Sequence, residues 1–180
     1  MTNLKFKQKG NFSVEFAIVG AFVSLLLVFS ADVILKISAK GKLDRLSYSL
    51  VNILKERTQL YGNNYKITRS EANAIVIIGR NSLSRTMGSF NENQFGALVE
   101  ELTFKGIKKP NPLKRYAIGG QVCNVTQPLS ELSHLSVVTS WERQATLYRI
   151  TLCYETDNWF GSIIGDSFTT VSSSSVMLGR

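Results

Sequence analysis

The sequence predicts an α+β chain in which a long N-terminal helix, its first half in a membrane and its second half soluble, packs on a small antiparallel sheet. Three observations predict it. From Phe16 to Leu35 the chain is almost wholly apolar, with Asp32 its only charge. At about 1.5 Å per residue a helix of that span covers roughly 30 Å, one bilayer core. Beyond Ile37 the apolar residues recur every three or four positions, and after Gln94 the pattern shifts toward period two.

Ahead of the span, Met1 to Gly10 carries Lys5, Lys7 and Lys9 and no acid. A secretory signal peptide places its small cleavage residue after a short apolar core. Here Gly10 precedes a long one, so cleavage after Gly10 would leave the apolar helix on the mature chain. Glu15 stands five residues past Gly10, at the entrance to the span, where a carboxylate is costly. Cleavage would free an α-amine on Asn11, about one helical turn from Glu15. Those opposite charges would pair in a low-dielectric bundle, within one subunit or between neighbours. The plainer alternative leaves Glu15 solvated among headgroups in an uncleaved anchor. Lysines flank the span on both sides, with Lys36, Lys40, Lys42 and Arg45 following it, so charge alone does not orient it. Asp32 precedes Lys36 by four residues, a spacing suited to a pair at the membrane surface.

Leu43, Leu46, Leu50, Ile53, Leu54, Leu60 and Tyr61 extend the helix as an apolar stripe, with Gly62-Asn63-Asn64 as its stop, so Ser13 to Tyr61 reads as one helix. Gly41 is a place for it to bend. Ser70 would cap a second helix, Glu71 to about Met87, with Ala74, Ile75, Ile78 and Leu83 inward; a strand over Ala74 to Ile78 is the alternative. Gln94 to Lys105 reads as a strand, Gly106 to Lys114 as a loop, and Arg115 to Cys123 as a strand bent at Gly119-Gly120. Asn124 to Arg143 reads as a long loop and a candidate partner-facing surface. Thr146 to Glu155 is the clearest strand, with Tyr148, Ile150, Leu152 and Tyr154 on one face and Leu147, Arg149, Thr151 and Cys153 on the other. Asp157 to Gly161 is a turn with exposed aromatics. Phe168 to Leu178 suits a last strand whose small side chains let a helix approach, a disordered tail being the other reading.

Net charge is +8, and three leader lysines contribute to it. The other cations form small clusters, Lys105/Lys108/Lys109 and Lys114/Arg115, without the aromatic interleaving of a nucleic-acid surface. Cys123 and Cys153 are the two cysteines, and neither sits in a metal-binding spacing with the lone His134. In an oxidising compartment they would form one disulfide; two buried free thiols on strands are the alternative. Nucleotide-loop, H-E-x-x-H and G-x-S-x-G motifs are absent, and Glu100-Glu101, as strand neighbours, point to opposite faces. No enzyme and no cofactor is expected.

The order of basic leader, Gly10, Asn11, Glu15, Phe16 and apolar helix resembles a type IV prepilin. With the run Leu147-Tyr148-Arg149 through Cys153-Tyr154-Glu155 to Asn158-Trp159-Phe160, it looks like the TadE/TadF pseudopilins of tight adherence (Tad) pilus systems, TadF being the nearer. Asn11 stands where many type IV pilins have Phe, and Phe16 where major Tad pilins have Tyr; both departures suit a pseudopilin. The resemblance implies a pilin-like fold and cutting by a prepilin peptidase between Gly10 and Asn11 on the cytoplasmic side of the inner membrane. It divides the chain into a leader (1–10), a membrane half-helix (11–36), a soluble continuation (37–62) and a periplasmic α+β domain (63–180). The implied partners are the peptidase, other Tad pilins and pseudopilins, Tad inner-membrane assembly proteins and membrane lipid, with no nucleic acid. The implied role is biogenesis of an adhesive pilus supporting biofilm formation. The rival readings are an uncleaved single-span protein whose outer domain binds a ligand or envelope partner, and an anchored enzyme using residues such as His134 and Glu142.

Overall fold

A computed structural model of the chain describes residues 11–56 and 66–179. The leader, Arg57, Leu60, Tyr61 and the expected stop Gly62-Asn63-Asn64 lie outside them. The first helix, α1, spans Asn11–Lys55 and passes through Gly41 without a break. The chain divides into two compact units, one holding α1 up to Leu35 with Asn158–Phe168, the other Lys36–Asp157 with the residues from Thr169.

In the larger unit lies a four-stranded antiparallel sheet in which Lys114–Gly119 forms one edge, then Phe95–Leu102, then Leu147–Glu155, with Thr170–Leu178 at the other edge. Its strands are β1 (Phe95–Leu102), β4 (Lys114–Gly119), β5 (Leu147–Glu155) and β6 (Thr170–Leu178). The central strands β1 and β5 are buried on both faces almost throughout. A half-exposed antiparallel sheet would alternate buried and exposed residues, so both faces must be covered.

Helices cover one face. Leu43, Leu50, Val51 and Leu54 of α1 and Ile75, Val76 and Leu83 of α2 (Arg69–Thr86) close over Val99, Tyr148, Ile150 and Leu152. The α1 stripe differs slightly from the expected one, because Ile53 is exposed and Val51 takes its place. β6 lets α1 come close as its small side chains suggest: Ser47 Oγ lies 3.0 Å from Ser173 Oγ and 2.8 Å from Ser175 Oγ, and Lys40 Nζ donates to the Ser172 carbonyl at 2.7 Å. Beside these serines sits Asp44. Burial alone would raise its pKa, but hydrogen bonds from Ser173 and Lys40, with the Lys40 charge, hold it below its ordinary value.

The cap of α2 is Thr68 rather than Ser70. Its hydroxyl accepts from the Glu71 amide while the Glu71 carboxylate accepts from the Thr68 amide, a reciprocal box that starts the helix earlier. Packing against the core puts Ala72, Ile75, Val76, Gly79 and Leu83 inward and, unlike the expected face, leaves Ala74 and Ile78 outside. The helix itself excludes the strand alternative over Ala74 to Ile78.

The long connection covers the other face. Cys123 packs with Leu98 and Cys153, and the fully buried Leu129 fills a second cluster with Leu102 and Leu147. The segment from Asn124 is therefore anchored to the core at Leu129. Its later part, including Val137, Val138 and Trp141, stays exposed. A short helical turn at Glu131–Leu135 punctuates it. The expected loop after Gly106 contains a small hairpin, β2 (Phe104–Gly106) with β3 (Lys109–Pro110). β4 stops at Gly119, whose φ of +110° suits only glycine.

In the smaller unit, the expected turn after Asp157 is a short helix, α3 (Trp159–Ile164), closed by Gly165 in the left-handed conformation.

Candidate functional site: an exposed apolar helix and its companion loop

From Phe12 to Leu27 every described side chain of α1 is exposed. Phe12, Val14, Ala17, Ile18, Phe22 and Leu27, all exposed, point in all directions around the axis rather than along one stripe. A helix apolar all round that is not buried in its own protein suits lipid or other helices. Its polar groups are satisfied internally as lipid requires. Ser24 Oγ donates to the Ala21 carbonyl and Ser30 Oγ to that of Leu26, both at 2.8 Å.

Of the sequence-derived processing residues, Asn11, Glu15 and Phe16 lie on this helix. Gly10 lies outside the described residues. Asn11, where the described residues begin, is already helical, and Glu15 and Phe16 are exposed on α1. Phe16 stacks on Phe12 with ring centroids 6.4 Å apart. Asp32, near the far end of the apolar run, is buried.

A loop from the other end of the sequence joins the same unit. Phe160 of α3 meets Phe29 edge to face, centroids 4.9 Å apart. The loop is closed on itself: Asn158 donates to the Asp166 carbonyl at 2.8 Å and accepts from the Phe168 amide at 3.3 Å. Gly161 sits inside this closure, where a β-carbon would come within 2.2 Å of the Asn158 side-chain oxygen. The sequence marks these aromatics as exposed, but pairing with Phe29 across more than a hundred residues carried no local signal. The i, i+4 spacing of Trp159 with Ile163 and Phe160 with Ile164 was the cue for a helix here.

In the larger unit two side-chain constellations fix the loop-covered face. The Cys123 and Cys153 sulfurs are bonded to each other, with 5.5 Å between α-carbons. Gly96, beside them, admits no side chain, since a β-carbon would fall 2.1 Å from the Gln121 carbonyl oxygen and 2.9 Å from Cys153 Sγ. Further along β1, Glu100 stands directly across from Arg115 on β4 and Arg149 on β5. Arg115 Nε donates to Glu100 Oε1 at 2.8 Å, the Arg149 guanidinium bonds Oε2, and Arg149 Nη1 also donates to the Gln127 carbonyl at 2.7 Å. Glu101 points the other way and accepts from the Ile67 amide at 3.0 and 3.1 Å. The two carboxylates thus face opposite sides, as strand geometry dictates. His134 is exposed, its ring against the carbonyl of Glu131 in its own turn.

The family model for TadF, tight adherence pilin protein F, matches residues 3–180. The chain belongs to the TadF family. Its long apolar helix packed on a small antiparallel sheet is accordingly a pilin-like α+β fold of a Tad pilus protein. Among the described residues one helix is long and apolar enough to cross a membrane, which fits a single-pass protein of that pilus, and TadF membership implies contact with other pilus components. No curated protein and no solved structure matches the chain.

Proposed function

We propose that this TadF chain is a minor pseudopilin required for biogenesis of a Tad-type pilus, and so for adherence and biofilm formation. It acts as a packing subunit rather than a catalyst. Prepilin peptidase cuts between Gly10 and Asn11 at the cytoplasmic face of the inner membrane. The new Asn11 amine pairs with Glu15, and the apolar helix then packs laterally against those of other Tad pilins and assembly proteins. The domain after the helix faces the periplasm, where a disulfide persists.

The observation that carries this reading is the apolar surface of α1, exposed on every side from Phe12 to Leu27. Such a surface is a cost in water and an interface in a bundle of like helices, where packing and charge pairing drive association. Glu15, ahead of the apolar run, supplies a charge whose burial in a helix bundle demands a defined partner. The cell-level test replaces the chain by Glu15→Gln or deletes it. Loss of surface pili on deletion, with stable but assembly-defective protein for Glu15→Gln, supports the proposal. Normal piliation in the deletion strain overturns it.

A further inference from the structure

We propose that the loop Asn158–Phe168 is a second membrane contact, lying in the lipid interface beside the spanning helix. The inference rests on the reading of α1 as a membrane span. Four large apolar side chains of this loop, Trp159, Ile163, Ile164 and Phe168, are each at least half exposed. Asp166 is the only charged residue from Asn158 to Phe168. Such a patch on a short loop needs an occupant.

Phe29 decides which one. It is part of the apolar run and lies six residues before Leu35, so about 9 Å inside the end of that run. Phe160 meets it edge to face. If the run spans the bilayer, α3 lies at the depth where interfacial helices bury their apolar faces, about 5–10 Å below the headgroups. Lipid is therefore the surface its outward residues meet. The chemistry agrees, since Trp159 has an apolar ring and one polar N–H, the pattern enriched at membrane interfaces. The loop is also preformed. Asn158 ties its two ends, the Asp166 amide donates to the Gly161 carbonyl at 2.9 Å, and Gly161 fills the space between. Backbone groups near lipid are thus partly satisfied before insertion, which lowers the cost of placing a non-helical segment there.

The test uses full-length protein in vesicles of phosphatidylethanolamine and phosphatidylglycerol whose acyl chains carry bromine. Trp141 and Trp159 are the only tryptophans, so Trp141→Phe leaves Trp159 as the sole reporter. A companion, Phe22→Trp with Trp141→Phe and Trp159→Phe, reports on the span. The proposal expects bromine to quench Trp159 at least about twofold, with emission shifted to the blue, as for an interfacial indole. Quenching of the Phe22→Trp reporter with no quenching of Trp159 overturns the loop contact and leaves the span intact. Protection of Trp159 from aqueous acrylamide without bromine quenching overturns it in favour of a protein partner. Absence of quenching at both positions overturns the span and the loop together.

Discussion

Replacing Glu100 by glutamine removes one charge and little volume, yet it should be among the most damaging single changes to the domain. Glu100 is fully buried between two arginines in register with it, and Arg149 is almost as buried. Arg115 is about half exposed, so its share is screened and worth at most about 1 kcal/mol. Arg149 is different. With Glu100 neutral, its guanidinium stays buried with a carbonyl and an amide oxygen but no anion, and breaking a buried pair from one side costs about 3–5 kcal/mol. Small domains lose about 1–3 kcal/mol per molar urea, so the midpoint should fall by about 2 M. The assay is urea unfolding of the full chain in detergent micelles, followed by near-ultraviolet circular dichroism of the core tyrosines Tyr148 and Tyr154. Pairing Glu100→Leu with Arg149→Met should recover much of the loss, and the cycle should show a coupling of at least about 2 kcal/mol. A midpoint within about 0.5 M of wild type for Glu100→Gln, at unchanged slope, would refute the reasoning.

Three other outcomes follow from the same structure. Cys123→Ala with Cys153→Ala opens a loop of 30 residues in sequence separation and should lower stability by about 3–4 kcal/mol; reductant should then shift wild type but not the variant in urea unfolding. Asp44 has a folded pKa below its ordinary 3.8, so its contribution is present above that value and fades as pH falls through the lowered one. Asp44→Asn should therefore lose less stability than wild type between pH 5 and pH 3, by under about 1 kcal/mol since the carboxylate is half exposed; equal losses contradict this. Gly96→Ala should cost at least about 2 kcal/mol, because the crowding atoms are the Gln121 backbone and a bonded sulfur that cannot move aside, and a near-wild-type melting curve would oppose that.

Features set by local pattern were legible in the sequence. β5 shows this best: its two predicted faces are the observed ones, with Tyr148 and Ile150 under the helices and Leu147 and Cys153 under the loop. The serines of β6 were legible for a similar reason, since only small side chains let Ser47 approach. Capping was harder. Ser70 and Thr68 both suit an N-cap, and the choice turns on which one finds a glutamate three residues on. Long-range pairings were not legible. Arg115 and Arg149 lie 15 and 49 residues from Glu100, and only strand register brings them together. The same holds for Phe29 and Phe160. The loop after Asn124 read as a long partner-facing surface because its pattern is irregular, but Leu129 alone was enough to anchor it over the sheet.

The central claim is that this chain is a processed pilus subunit whose mature helix begins at Asn11. The mass of the N-terminal peptide from membrane-purified protein tests it directly, compared between cells with and without prepilin peptidase. The account predicts a peptide starting at Asn11 that disappears in the peptidase-deficient strain and in Gly10→Asp. Retention of Met1 to Gly10 in both strains would contradict it and leave an uncleaved membrane anchor.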